Sequence, residues 1–65
     1  MGNKPDWKTA PDWANYVARD ADGCWYWFEN KPELDDGVYF THGKIMSIDL
    51  VNEFEPICEE RPDNA

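Results

Sequence analysis

The sequence predicts a mainly β fold: a small antiparallel meander of three to four strands, with either the fourth strand or a short helix near the C-terminus. Three observations predict it. Asp20-Ala21-Asp22-Gly23 is a strong turn signal, Trp25-Tyr26-Trp27-Phe28 sets four rings in a row directly after it, and Pro or Gly punctuates the chain at short intervals thereafter. The 65 residues suffice for one domain. A chain this short buries only about 60% of its unfolded surface, so its core is marginal. Ten aromatic residues offset that, since each ring can bury roughly 150–250 Å².

The first twelve residues contain Pro5-Asp6-Trp7 and its echo Pro11-Asp12-Trp13. Proline fixes φ and drives the preceding residue towards extended backbone, so residues 1–12 are expected to be an extended or turn-like segment, with Trp7 folded back onto the sheet. Asp12 could cap a short helical turn over residues 12–15. The domain proper is expected over residues 13–56.

Within it, Asp at the first turn position and Gly at the last suit a type I turn followed by a G1 bulge. A three-residue loop of this kind pairs Asp20 with Cys24. It then sets Ala18 opposite Tyr26, Tyr16 opposite Phe28, Arg19 opposite Trp25 and Val17 opposite Trp27. Side chains alternate along a strand, so both faces of this hairpin carry rings. They form the core of a small sheet, or one face is left for a partner.

Asn30-Lys31-Pro32 ends the second strand, because proline cannot donate to a ladder. Residues 33–37 read as a polar loop, Val38 to Thr41 as the third strand and His42-Gly43 as a turn. Residues 44–50 read as a fourth strand, with a helix starting at Ser47 and continuing through Phe54 as the alternative. Residues 57–65 are expected to be an acidic flexible tail.

Charge limits the partners. Fourteen acids against six bases give −8, a surface that repels nucleic acid and anionic membranes and attracts basic protein surfaces. The same charge also keeps an aromatic-rich domain in solution. Carboxylates on a small rigid body can imitate a phosphate backbone. The candidates are Asp35 and Asp36 in the loop and Glu53, Glu55, Glu59 and Glu60 towards the C-terminus, with Trp25 and Trp27 as aromatic anchors for a partner.

Residues for chemistry are sparse. His42 is the one histidine, and its Thr-His-Gly-Lys setting is that of a turn rather than a positioned general base. Asp20-Ala21-Asp22-Gly23 echoes the start of a calcium loop without its later ligands. Two cysteines and one histidine do not make a structural zinc set. No catalytic residue, cofactor or metal is therefore expected. Cys24 and Cys58 permit one disulfide. No apolar run suggests a leader or a span, so the expected compartment is the cytoplasm, where thiols stay reduced.

Ala10 to Ala14, Asp20 to Gly23 and Trp25 to Pro32 carry the pattern A-P-x-W-A, D-x-D-G, W-x-W-(F/Y)-E-x-x-P. In this the chain resembles small phage and prophage proteins of unknown function; from Glu33 onward the resemblance ends. It implies a viral accessory role in the cytoplasm of an infected or lysogenic bacterial host, and no assigned catalytic residues. The expected function is non-enzymatic binding of a basic host protein through an acidic and aromatic surface, with inhibition and DNA mimicry as versions of it. The alternative is a structural or assembly protein that forms a homodimer through its aromatic sheet face.

Overall fold

The computed structural model describes residues 4–51 and 56–63. Strands are β1 (Tyr16–Arg19), β2 (Cys24–Phe28), β3 (Glu33–Asp35), β4 (Val38–Phe40), β5 (Ile45–Val51) and β6 (Ile57–Glu60). All pairings are antiparallel, in a four-stranded sheet of order β5-β2-β1-β6 and a separate β3-β4 ribbon. The fold is mainly β, as the sequence predicts.

The first hairpin follows the turn chemistry. The Gly23 N–H donates to the Asp20 carbonyl at 2.9 Å and the Asp20 N–H to the Cys24 carbonyl at 2.9 Å. Gly23 sits at φ 91°, the left-handed region where only glycine is free of strain. The register that follows is Tyr16–Phe28, Val17–Trp27, Ala18–Tyr26 and Arg19–Trp25, as the loop length requires.

Strand order departs from a meander, in which each strand would pair with the next. β4 does not continue the sheet beside β2; it folds back on β3. The expected polar loop over residues 33–37 is therefore half strand. Asp36 and Gly37 both have positive φ, 53° and 81°, the two-residue type I′ geometry whose twist matches the strands it joins. β5 then returns to pair with the outer side of β2. Residues 45–51 are strand, so a helix does not begin at Ser47; the rest of that alternative, through Phe54, lies outside the described residues.

Two corrections concern the ends. The flexible tail expected from residue 57 begins instead with an edge strand. β6 pairs with β1 from Tyr16–Glu60 to Arg19–Ile57, and the Arg61 N–H extends the ladder to the Asn15 carbonyl at 2.7 Å. Near the N-terminus, the helical turn falls one echo earlier than expected. Trp7–Thr9 forms a 3₁₀ turn capped by the Asp6 carboxylate, which accepts the Lys8 N–H at 3.0 Å. Asp12 instead lies in a tight turn closed from the Ala14 N–H to the Pro11 carbonyl.

Both faces of the central hairpin are covered. On one, Val17, Trp25 and Trp27 are buried with Ala14, and Trp7, Ala10, Trp13, Ile48, Leu50 and Ile57 close over them. The Trp7 and Trp27 rings lie 4.9 Å apart, tilted by 52°, within the favoured range for aromatic pairs. Arg19 is buried beside them, with its guanidinium 5.3 Å from the Trp25 ring centre. Arg61 holds the N-terminal segment in place. Its guanidinium lies 5.6 Å from the Trp7 ring centre and donates to the Ala14 and Pro11 carbonyls at 2.8 and 3.3 Å.

On the other face Ala18 and Phe28 are buried. The β3-β4 ribbon is fastened on this side by two bonds to the first turn. The Ala21 N–H donates to the Gly37 carbonyl at 3.0 Å, and the Tyr39 N–H to the Asp20 carboxylate at 3.1 Å.

Candidate functional site

The rings expected as partner anchors are core residues. Trp25 is 0% and Trp27 4% exposed, so neither can insert into a partner. The reason is topological. β5 and β6 flank the hairpin, the N-terminal segment caps the face that holds Trp25 and Trp27, and the ribbon is bonded to the first turn on the other side. A homodimer through the aromatic sheet face would find that face already occupied.

The acidic candidates do not form one cluster. Asp35 and Asp36 are exposed at the tip of the β3-β4 ribbon, and Asp36 contributes the first left-handed turn residue. Glu59 and Glu60 lie on β6, at the far edge of the other sheet. Glu59 is half-buried and its carboxylate pairs with the Lys4 ammonium at 2.5 Å, while Glu60 is exposed. Glu53 and Glu55 lie outside the described residues.

The carboxylates of the first turn serve the fold. Asp22 accepts the Cys24 N–H at 3.1 Å, and Asp20 accepts that of Tyr39. Burial raises the Asp20 carboxyl above its ordinary range; the Tyr39 bond opposes the shift and the Asp22 charge adds to it. The folded state thus favours the protonated acid. This group's contribution to stability is full below the ordinary Asp range and is lost as pH rises through the raised value. Among the described residues, no three or more His, Cys, Asp or Glu side chains are grouped to hold a metal ion.

The thiols are unpaired. Cys24 lies on β2 and Cys58 on β6, with β1 between them. Two strand spacings are about 9.5 Å, beyond the ~7 Å that a disulfide can bridge between Cα atoms. Burial raises both thiols, and neighbouring Asp22 adds to the shift at Cys24, the opposite of an activated nucleophile. His42 is exposed in its turn, with its carbonyl accepting from the Asn30 side-chain amide at 2.6 Å.

What the surface does offer is apolar. Leu34, Val38 and Phe40 on the ribbon and Ile45, Met46 and Val51 on β5 are each 48–62% exposed. Cross-strand pairs share a face, so the register Glu33–Phe40 and Asp35–Val38 sets two apolar side chains beside two carboxylates on one face of the ribbon. Tyr39, half-buried, takes the opposite face with Leu34. Burial raises the Tyr39 phenol, and the charges of Cys58 and Asp20 raise it further. Tyr39 is the sheltered ring of the ribbon, while Phe40 and Val38 on the opposite, outer face are each about half exposed. In the sequence this face is masked by the polar character of residues 33–37. The Asp36-Gly37 dipeptide, a strong short-range hairpin signal, was the feature that could have revealed it.

Among the described residues, no helix is long and apolar enough to cross a membrane. No family model, curated protein or solved structure matches the chain.

Proposed function

We propose that this is a non-enzymatic accessory protein of a phage or prophage that binds a basic protein of its bacterial host in the cytoplasm and inhibits it. The observation that carries the binding surface is the outer face of the β3-β4 ribbon, where Val38 and Phe40 are half-exposed between Glu33 and Asp35. Apolar anchors supply affinity when a partner buries them, while flanking charges chiefly steer association. The viral context rests on the resemblance of residues 10–32. The anchors differ from those expected, since the ribbon rather than the tryptophans presents them.

The test is affinity capture from bacterial lysate with the wild-type chain and a Val38→Glu/Phe40→Glu variant, at low and high salt. The wild type retains a host protein that the variant loses while keeping its thermal midpoint, and retention falls as salt screens the charges. The same protein captured equally by both chains would remove the ribbon as the binding surface. Capture that strengthens with salt would remove the basic partner.

A further inference from the structure

The two edges of the main sheet are built differently. β6 is four residues long and carries Glu59 and Glu60, and charged side chains on a short strand are a standard guard against edge pairing. β5 is seven residues long and, of its Ile-Met-Ser-Ile-Asp-Leu-Val sequence, only Asp49 is charged. Lys44, just before it, does not guard the edge either, because its ammonium lies 5.8 Å from the Trp13 ring centre, over the covered face.

The ladder shows which backbone groups the β5 edge presents. The Glu29 N–H donates to the Lys44 carbonyl at 3.0 Å. With the register Trp27–Met46 and Trp25–Ile48, the alternation of an antiparallel pair turns the backbone groups of Lys44, Met46 and Ile48 towards β2. Those of Ile45 and Ser47 face outwards. Beyond Ile48 a bulge sets Asp49 and Leu50 out of register before Val51 meets Cys24. Ile45 and Met46 project to opposite faces of the sheet beside this edge, each about half exposed.

We propose that β5 is a strand-addition site whose occupant is an extended, basic segment of a protein partner with alternating apolar residues. The site is distinct from the ribbon face and rests on the proposed function only in taking a basic protein as the partner. Outward N–H and C=O groups at Ile45 and Ser47 supply the ladder, and Ile45 and Met46 supply apolar contact on the two faces. Charge selects the occupant. Each copy of the chain carries −8, so two β5 edges approach against mutual repulsion, while a cationic strand is attracted. Global acidity thus does for β5 what local glutamates do for β6: it prevents self-pairing, and it leaves the edge open to a basic strand.

The probes are two acetylated octapeptides, alternating Val-Lys and alternating Val-Glu, titrated into the full chain and followed by amide chemical shifts and hydrogen exchange. The basic peptide shifts the amides of residues 45–48 and slows exchange at Ile45 and Ser47, and raising salt tenfold weakens it at least tenfold. The acidic peptide does neither. The basic peptide N-methylated at every residue, which can donate from neither edge, binds at least tenfold more weakly. Ser47→Pro removes an outward N–H that the β2–β5 ladder does not use, a tolerated place for proline, and it abolishes the protection.

Shifts confined to β6 or the ribbon, or binding of the fully N-methylated peptide as tight as that of its parent, would overturn the proposal. So would Ile45 and Ser47 protection that grows with protein concentration in the absence of peptide, which would assign the edge to a second copy. Shifts confined to the ribbon would overturn the β5 site and leave the Val38–Phe40 face standing, while capture that survives Val38→Glu/Phe40→Glu would remove that face and leave β5, so the two readings fail separately.

Discussion

Trp27→Ala is expected to leave little folded protein. Trp27 is 4% exposed and meets the tilted Trp7 ring at 4.9 Å between centres. Removing a buried Trp costs about 3–5 kcal/mol through lost transfer energy and the cavity left behind. A domain of this size holds about 3–10 kcal/mol in total, at the usual stability per residue. The loss is compounded because Trp7 covers the core through Trp27, so the N-terminal segment loses its anchor as well. Trp27→Phe, which keeps a ring, retains the fold at a lower midpoint. The check is thermal unfolding followed by near-UV dichroism, which reports packed tryptophans. An alanine variant with the wild-type midpoint and spectrum would place Trp27 on the surface and restore it as a partner anchor.

Gly23→Ala is expected to destabilise by about 1–2 kcal/mol, the cost of putting a Cβ into left-handed backbone. Gly23 sits at φ 91° and its N–H closes the turn to Asp20. At roughly 4–8 °C per kcal/mol for a chain of this size, the thermal midpoint falls measurably while the spectrum of the folded state is retained. Gly23→Asn, which tolerates this region better, recovers part of the loss. A midpoint equal to that of the wild type would remove the bulged turn, and with it the basis of the β1–β2 register.

The contrast between these elements explains what the sequence made legible. The Asp20–Gly23 turn is local chemistry: four consecutive residues determine a loop length, the loop length determines the register, and the register places the rings. β5 was legible for a similar reason, as an apolar run after a glycine turn. The β3-β4 ribbon carried an equally local signal in Asp36-Gly37, obscured because Glu33, Asp35 and Asp36 make the segment polar.

β6 had no such signal. Ile57-Cys58-Glu59-Glu60 is an unremarkable acidic stretch, made a strand by its pairing with β1, a contact some forty residues away in sequence. Tertiary pairing of this kind overrides local preference. The same non-local pairing buries Trp25 and Trp27, because flanking strands and the Trp7 cap close a surface that the hairpin alone would expose. Acidic and apolar character together were legible in composition. Which side chains reach solvent depended on strand order, and strand order depends on contacts that no short window contains.

Amide hydrogen exchange of the dilute protein, read residue by residue by NMR, tests that strand order most directly. In the observed register the N–H groups of Val17 and Arg19 face β6, as does the carbonyl of Asn15 that accepts from Arg61. Slow exchange is expected at Val17 and Arg19, with alternation along β5: Met46 and Ile48 slow, Ile45 and Ser47 fast. Fast exchange at Val17 and Arg19 would contradict that strand order, returning residues 57–60 to a tail and making β1 an open edge.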